Sequence, residues 1–344
     1  MTLPDRLRAA GPAPGAFLAT CAIALASACA TRATDAASQQ TPVPVLDSSF
    51  ADPFVLPVGR GLVAYATNRT EADGSRTHVP VSTSRDGLHW SDPREAMPTP
   101  PPWARRERPD IWAPEAIRVG QRYLLYFSAR HASRMRPDGL TLCIGAAVAD
   151  APTGPFVPQR QPLTCGGVQG VIDASPFRDR DADGRERLWL VYKTDGNCCG
   201  VATGFIAQPL RDDGLGFAGA PRPVAGIGND RPWEGGVVEA PQLLRAHGAL
   251  WLFYAGNDYG GGAYATGYAR CDSPSGPCVD APENPILRSG PGLVGPGHPT
   301  LFAHAGRTWI AYHGWRPATG GRPRYRAMYV QPLDWRDGRP VPAR

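Results

Sequence analysis

Lysine is all but missing from this chain of 344 residues: its positive side chains are nearly all arginine, and charged residues make up only 19% of it. The arginines are scattered, and their clusters, Arg105 to Arg108 and Arg322 to Arg326, are short. A net charge of +5 spread in this way lacks the concentrated basic face of a nucleic-acid binder, so no such partner is expected. Forty glycines and thirty-eight prolines leave little scope for long helices and suit many short strands joined by tight turns. No cysteine has a histidine at structural-zinc spacing, which argues against a zinc site.

What is present begins with a leader. Arg6 and Arg8 precede an apolar stretch, Ala16 to Ala28, that ends in small residues. This is the layout of a signal peptide rather than a membrane span. Residues 1–29 are therefore expected to direct export, cut either after Ala28 or, in the lipoprotein alternative, before a lipidated Cys29. Membrane attachment is expected only through that lipid, with a secreted, periplasmic or envelope-anchored product. Residues 30–44, polar, small and proline-containing, read as a flexible tether. Six cysteines then remain in the folded part, an even number that suits an oxidising compartment. Local pairs are the economical reading, Cys143 with Cys165 and Cys271 with Cys278, leaving the adjacent Cys198 and Cys199.

Residues 45–344 carry one unit five times. The strand-like runs VAYAT, LLYFS, WLVYK, WLFYA and WIAYH each contain a tyrosine (Tyr65, Tyr126, Tyr192, Tyr254, Tyr312), spaced 58 to 66 residues apart and each preceded by a glycine-containing turn. Eleven to nineteen residues upstream stand Asp52, Glu115, Asp173, Glu239 and His298. Five copies of a unit too small to bury a face alone predict an all-β, five-bladed β-propeller, each blade pointing one polar residue at an axial site.

Asp52, Asp173 and Glu239 each follow apolar residues and precede a proline by one to three positions. One such acid reads as a turn residue; three at equivalent phases read as a site. Glu239, among Val237, Val238, Ala240 and Pro241, is expected to have a raised pKa, because desolvation disfavours its charged form. Carboxylates beside tryptophans (Trp112, Trp233, Trp315) are what acetal hydrolysis needs: an acid for the leaving oxygen, a base for water, and aromatic faces for sugar rings. The alternation DRDADGRE, Asp179 to Glu186, lacks the last ligand of a calcium loop and reads as a charged hairpin turn.

The motifs ADPFVL, DIWAPEAI, VIDASPF, WEGGVVEAPQLL, GPGHPTLF and WIAYHGW, in this order, resemble those of glycoside hydrolase family 43. The resemblance implies a five-bladed propeller acting on pentose-containing plant polysaccharides or oligosaccharides with inversion of configuration. It makes Asp52 the general base, Asp173 the residue that orients and tunes the acid, and Glu239 the general acid. It places Glu115, His298 and Arg326 with the tryptophans as substrate contacts, and puts His298 beside a structural calcium or its waters, no cofactor being required for the reaction. The chain departs from the family's usual pattern at Ala240 and Glu115, which bears on substrate. The expected activity is that of an α-L-arabinofuranosidase or arabinanase, with β-xylosidase the alternative inside the family. A non-catalytic carbohydrate-binding propeller is the rival from another class.

Overall fold

The computed structural model describes residues 41–180, 183–319 and 324–343; the expected leader, Cys29 and the first part of the tether lie outside the described residues. Five four-stranded antiparallel sheets succeed one another along the chain, each made of consecutive strands apart from a small hairpin, Arg69–Thr70 paired with Arg76–Thr77, inserted in the first. Their first strands are Phe54–Val58, Trp112–Val119, Val171–Arg180, Val238–Ala246 and Gly297–His304. Each packs against the first strands of its two neighbours, and that of blade five packs against that of blade one. The protein is thus an all-β, five-bladed propeller with its first strands around the axis. The segment before blade one helps to close the ring, for Leu46 bridges Met328 and the Phe50 amide donates to the Arg326 carbonyl at 2.9 Å, both partners lying on blade five.

Five large hydrophobic clusters lie one between each pair of adjacent blades, and a small sixth, Ala240, Ala255 and Tyr264, lies within blade four. Phe54, Val63 and Tyr65 of blade one meet Leu125, Phe127 and Cys143 of blade two, and Trp251 and Phe253 of blade four meet Ile310 and Tyr312 of blade five. Second strands are therefore covered on both faces, and all eight residues of Ala249–Gly256 are buried. This explains why they read as unbroken apolar runs rather than as alternation.

A bulge interrupts the first strand of blades two to five, and an equivalent slip stands just before that of blade one. Trp112 pairs with Ser128 but Glu115 with Tyr126, and the same slip separates Ile172 from Ser175, Glu239 from Gln242 and Gly297 from Thr300. Blade one behaves alike, the Thr67 amide reaching the Ala51 carbonyl while Tyr65 pairs with Phe54. The residue entering each bulge has positive φ: Asp52, Ala113, Asp173, Ala240 and His298, at 45° to 57°. Proline follows in four of the five. Such bulges re-aim a side chain at the end of a strand.

The bulges correct two expectations. The residues equivalent to Asp52, Asp173 and His298 are Ala113 and Ala240, so Glu115 lies two places beyond its blade's axial position and Glu239 one place before. The tyrosines also fall into two registers. Tyr65 and Tyr126 pair opposite Phe54 and Glu115, whereas Tyr192, Tyr254 and Tyr312 lie across from the bulges. One residue of offset turns a strand side chain to the other face. Accordingly, Tyr65 and Tyr126 pack toward the following blade, and the other three toward the preceding one.

Candidate active site

The bulges bring Asp52, Asp173, Glu239 and His298 to one cavity of about 370 Å³, also lined by Trp112 and Arg326. All four of the first set are buried. Around them the second strands, and in blade one a residue just past its end, contribute a further ring at one equivalent position: Thr67, Ser128, Lys193, Ala255 and His313. Sequence reading missed this ring, because its members sit inside runs that look like core.

The ring orders the bulges from one blade to the next. The Asp52 amide donates to His313 Nδ1 at 3.2 Å, the Ala113 amide to Thr67 Oγ1 at 2.9 Å, and the Asp173 amide to Ser128 Oγ at 3.2 Å. In each case the acceptor belongs to the preceding blade. The corresponding residue for blade four is Lys193, whose ammonium cannot accept a hydrogen bond. There the Ala240 amide donates to Asp173 Oδ2 at 2.9 Å instead, and Lys193 Nζ lies 2.8 Å from Glu239 Oε2. A buried amide left without a partner costs about as much as a lost hydrogen bond, so the exchange fixes Asp173 against the strand that carries Glu239. Lys193 is the only lysine in the chain, which is the signal that could have singled it out.

The three carboxylates have different electrostatic surroundings. Burial works to raise the pKa of Asp52, but Arg326 Nη1 at 2.7 Å, with His298 and His313 close by, outweighs it and holds the group well below the usual carboxylate range. Thr67 Oγ1 donates to its other oxygen. Asp173 is pushed up to about 6 by burial, which the charge of Glu239 reinforces and His298 opposes. Burial also works to raise Glu239, but the Lys193 ammonium overrides it and leaves the group below its ordinary value. The expectation of a raised pKa at Glu239 is therefore corrected: its sequence neighbours are apolar, but its partner in space is a cation from the preceding blade. The buried Tyr264 hydroxyl faces Glu239, and burial together with that charge holds its pKa well above the usual range. His313 is driven down to about 4, first by burial and then by Arg326, and as a neutral imidazole its Nδ1 can accept from the Asp52 amide.

The other predicted contacts separate into two groups. Trp112, His298 and Arg326 face the cavity, with the Arg130 guanidinium 5.3 Å from the Trp112 ring. Glu115, Trp233 and Trp315 do not line it. Glu115 is buried near Ser175 and Asp173, and burial raises its pKa well above the usual range. Trp233 packs on Tyr254 with ring centroids 5.3 Å apart. Its ring also covers Gly267, where an added Cβ would come within 2.6 Å of it. Trp315 lies under Arg324, 3.7 Å from the ring, and donates from Nε1 to the carbonyl of Tyr259, which does line the cavity.

Calcium takes six to eight oxygen ligands. Among the described residues no three His, Cys, Asp or Glu side chains gather in a metal-holding arrangement, and His298 Nδ1 faces Asp52 at 3.5 Å. The side chains among the described residues do not fit a directly bound calcium; an ion reached through water, as expected at His298, would be held by that imidazole and its waters.

Comparison with known proteins agrees with this fold. A thermostable family-43 glycoside hydrolase superposes with a TM-score of 0.72 at 26% identity, over 88% of this chain and 96% of that one. An endo-1,4-beta-xylanase from Bacteroides thetaiotaomicron VPI-5482 superposes at 0.68, also at 26% identity, over 88% and 97%. Extracellular endo-alpha-(1->5)-L-arabinanase 2 of Bacillus subtilis (strain 168) is 25% identical over 275 residues, 63% of this chain and 53% of the relative, so the match spans about half of that protein's length. The profile of glycosyl hydrolases family 43 matches residues 41–340, which takes in every blade and all three carboxylates, and the chain belongs to that family.

Proposed function

We propose that this chain is an inverting glycosidase acting on arabinose- or xylose-containing oligo- or polysaccharides, with α-L-arabinofuranosidase or arabinanase action favoured and β-xylosidase action the alternative. The observation that carries the reading is the convergence of three buried carboxylates on one cavity, each with a different charge environment. Titratable groups whose surroundings push their pKa values apart divide acid from base work. Asp52, kept ionised by Arg326, is suited to take a proton from an attacking water. Asp173 and Glu239 interact closely enough to titrate as a pair. Lys193 leaves Glu239 ionised in the free protein, while Asp173, pushed up to about 6, holds the proton of the pair beside it. In this reading that proton passes through Glu239 to the leaving oxygen, which returns Glu239 to the carboxylate, and Asp173 orients Glu239 through the Ala240 amide.

A propeller that only bound sugar would have no need to bury three carboxylates with such different proton affinities. An arabinanase and a xylanase among the similar proteins support a pentose-containing polymer as the substrate class. Export is supported by the leader-like N-terminus and by the three disulfides, Cys143–Cys165, Cys198–Cys199 and Cys271–Cys278, which suit an oxidising compartment. Aryl α-L-arabinofuranoside, β-xyloside and galactoside, assayed side by side, test the reading, with turnover of a pentoside expected. No turnover of any of them or of arabinan and xylan, with binding of pentose oligosaccharides retained, would favour the binding propeller.

A further inference from the structure

The Cys198–Cys199 disulfide joins residues adjacent in sequence, whereas Cys143–Cys165 and Cys271–Cys278 span separations of 22 and 7. In the chain-entropy account a disulfide stabilises a fold by closing a loop in the unfolded chain, with an effect that grows with loop length. A bond between neighbours closes no loop, so stability does not explain it. Its position does: Cys198 and Asn197 line the same cavity as the three carboxylates.

The disulfide is held there by a braced turn. Glu186–Thr194, which carries Lys193, ends just before it, and the Asp195 amide donates to the Gly170 carbonyl at 3.0 Å. Arg136 pairs with Asp195, both side chains 5% exposed, and also donates to the Gln169 carbonyl at 2.9 Å. Gly196–Cys199 is a single 3-10 turn, closed by the Val201 amide donating to the Gly196 carbonyl at 3.1 Å. Only glycine fits at 196, where a Cβ would lie 2.2 Å from the Val201 carbonyl oxygen. Groups that bind by shape gain from such preorganisation.

The charged groups that line the cavity, Asp52, Asp173 and Arg326 among them, suit hydroxyls. A sugar ring also presents a C–H face, which is best served by an apolar, polarizable surface. We propose that the Cys198–Cys199 disulfide, through Cys198, is a second such surface beside the Trp112 ring, a substrate-contacting wall on which the C–H face of a pentose ring rests while the Asn197 amide reaches a ring hydroxyl. The proposal rests on the glycosidase reading above.

Two paired variants test it on whichever pentoside the wild type hydrolyses. Cys198→Ser with Cys199→Ser removes the apolar surface, and KM should rise roughly tenfold, the scale of one lost apolar contact in a pocket, with an unchanged melting temperature. Cys198→Val with Cys199→Val restores an apolar surface without the bond and should recover most of that loss. A KM for the serine pair within twofold of wild type overturns the proposal. Equal losses in both pairs together with a lowered melting temperature also overturn it, in favour of a structural role. If the wild type turns over no pentoside, the glycosidase reading fails by itself. The variants are then compared by calorimetric titration with arabinose and xylose, where equal affinity of the wild type and the serine pair overturns the wall.

Discussion

Lys193 Nζ lies 2.8 Å from Glu239 Oε2, and it is the one lysine in a chain that uses arginine at every other cationic position. Its side chain has no accessible surface. A compact ammonium on a flexible stem fits such a place, whereas a planar guanidinium with five donors does not. Lys193→Met should leave Glu239 buried without its cation, raise its pKa and move the alkaline limb of kcat/KM to higher pH. Removing one partner of a buried pair costs about 3–5 kcal/mol. That loss should be largest where Glu239 must ionise and should shrink at lower pH as the carboxylate takes up a proton. Lys193→Arg should not restore stability. pH–rate profiles with urea melts at two pH values check both points; an unmoved alkaline limb would show that Lys193 does not set the proton affinity of Glu239.

Asp52→Asn and Glu239→Gln keep shape but abolish proton transfer, a contribution of about 10² to 10⁴ in rate. Each variant should lose turnover on that scale with circular dichroism and melting behaviour close to wild type. Near-wild-type turnover in either would remove that residue from the chemistry.

Asp173 offers a test that needs no substrate. Its folded-state pKa is raised from 3.8 to about 6, so its contribution to stability is fully present below the unfolded value and is lost as pH rises through about 6. At pH 7 burying the ionised group costs about 3 kcal/mol by linkage. Asp173→Asn is neutral throughout and can still accept from the Ala240 amide. The variant should melt higher than wild type at pH 7, by an amount that fades toward pH 4. Equal melting differences at both pH values would exclude the shift.

The repeat and the carboxylates were legible because each bulge leaves a local mark, a residue of positive φ most often followed by proline, and because turn glycines recur at a fixed period. The electrostatics were not, because they are set across blades. Glu239 has only apolar and proline neighbours in sequence, and the cation that governs it lies 46 residues earlier. Thr67, Ser128 and His313 were hidden for a related reason: second strands are covered on both faces, so a polar residue that caps the next blade's bulge stands within an apolar run. The tyrosine offset was invisible without the bulges, since a slip of one residue changes the face and not the pattern.

Aromatic residues show the same limit, and two of them can be told apart by experiment. Trp112 faces the cavity, while Trp233 packs on Tyr254 and against Gly267. Trp233→Ala should lower stability by about 2–4 kcal/mol, in the range for large-to-small core changes, with little effect on KM. Trp112→Ala should do the reverse, raising KM with a small change in melting temperature. Parallel melts and substrate-saturation curves decide it; a raised KM in a stable Trp233 variant would put that ring in contact with substrate.

The stereochemical outcome depends on how far the acid and base stand apart. Carboxyl groups about 5 to 5.5 Å apart leave room only for direct attack on carbon, and about 6.5 to 9.5 Å admits a water. Asp52 enters from blade one and Glu239 from blade four, so blade five lies between them in the ring, and His298 of that blade faces Asp52 at 3.5 Å. The two acids share no hydrogen bond among the described contacts: Asp52 is engaged by Thr67 and Arg326, and Glu239 by Lys193. Asp173, from blade three, accepts from the amide of the residue after Glu239, and the charge of Glu239 helps to raise its pKa. This division suits a base on one side of the sugar and an acid on the other, with a water between base and anomeric carbon. The first-formed pentose should therefore have inverted configuration. Proton NMR of the hydrolysis, recorded before mutarotation, reads the anomer directly; a retained first product would mean that Asp52 attacks carbon rather than activating water.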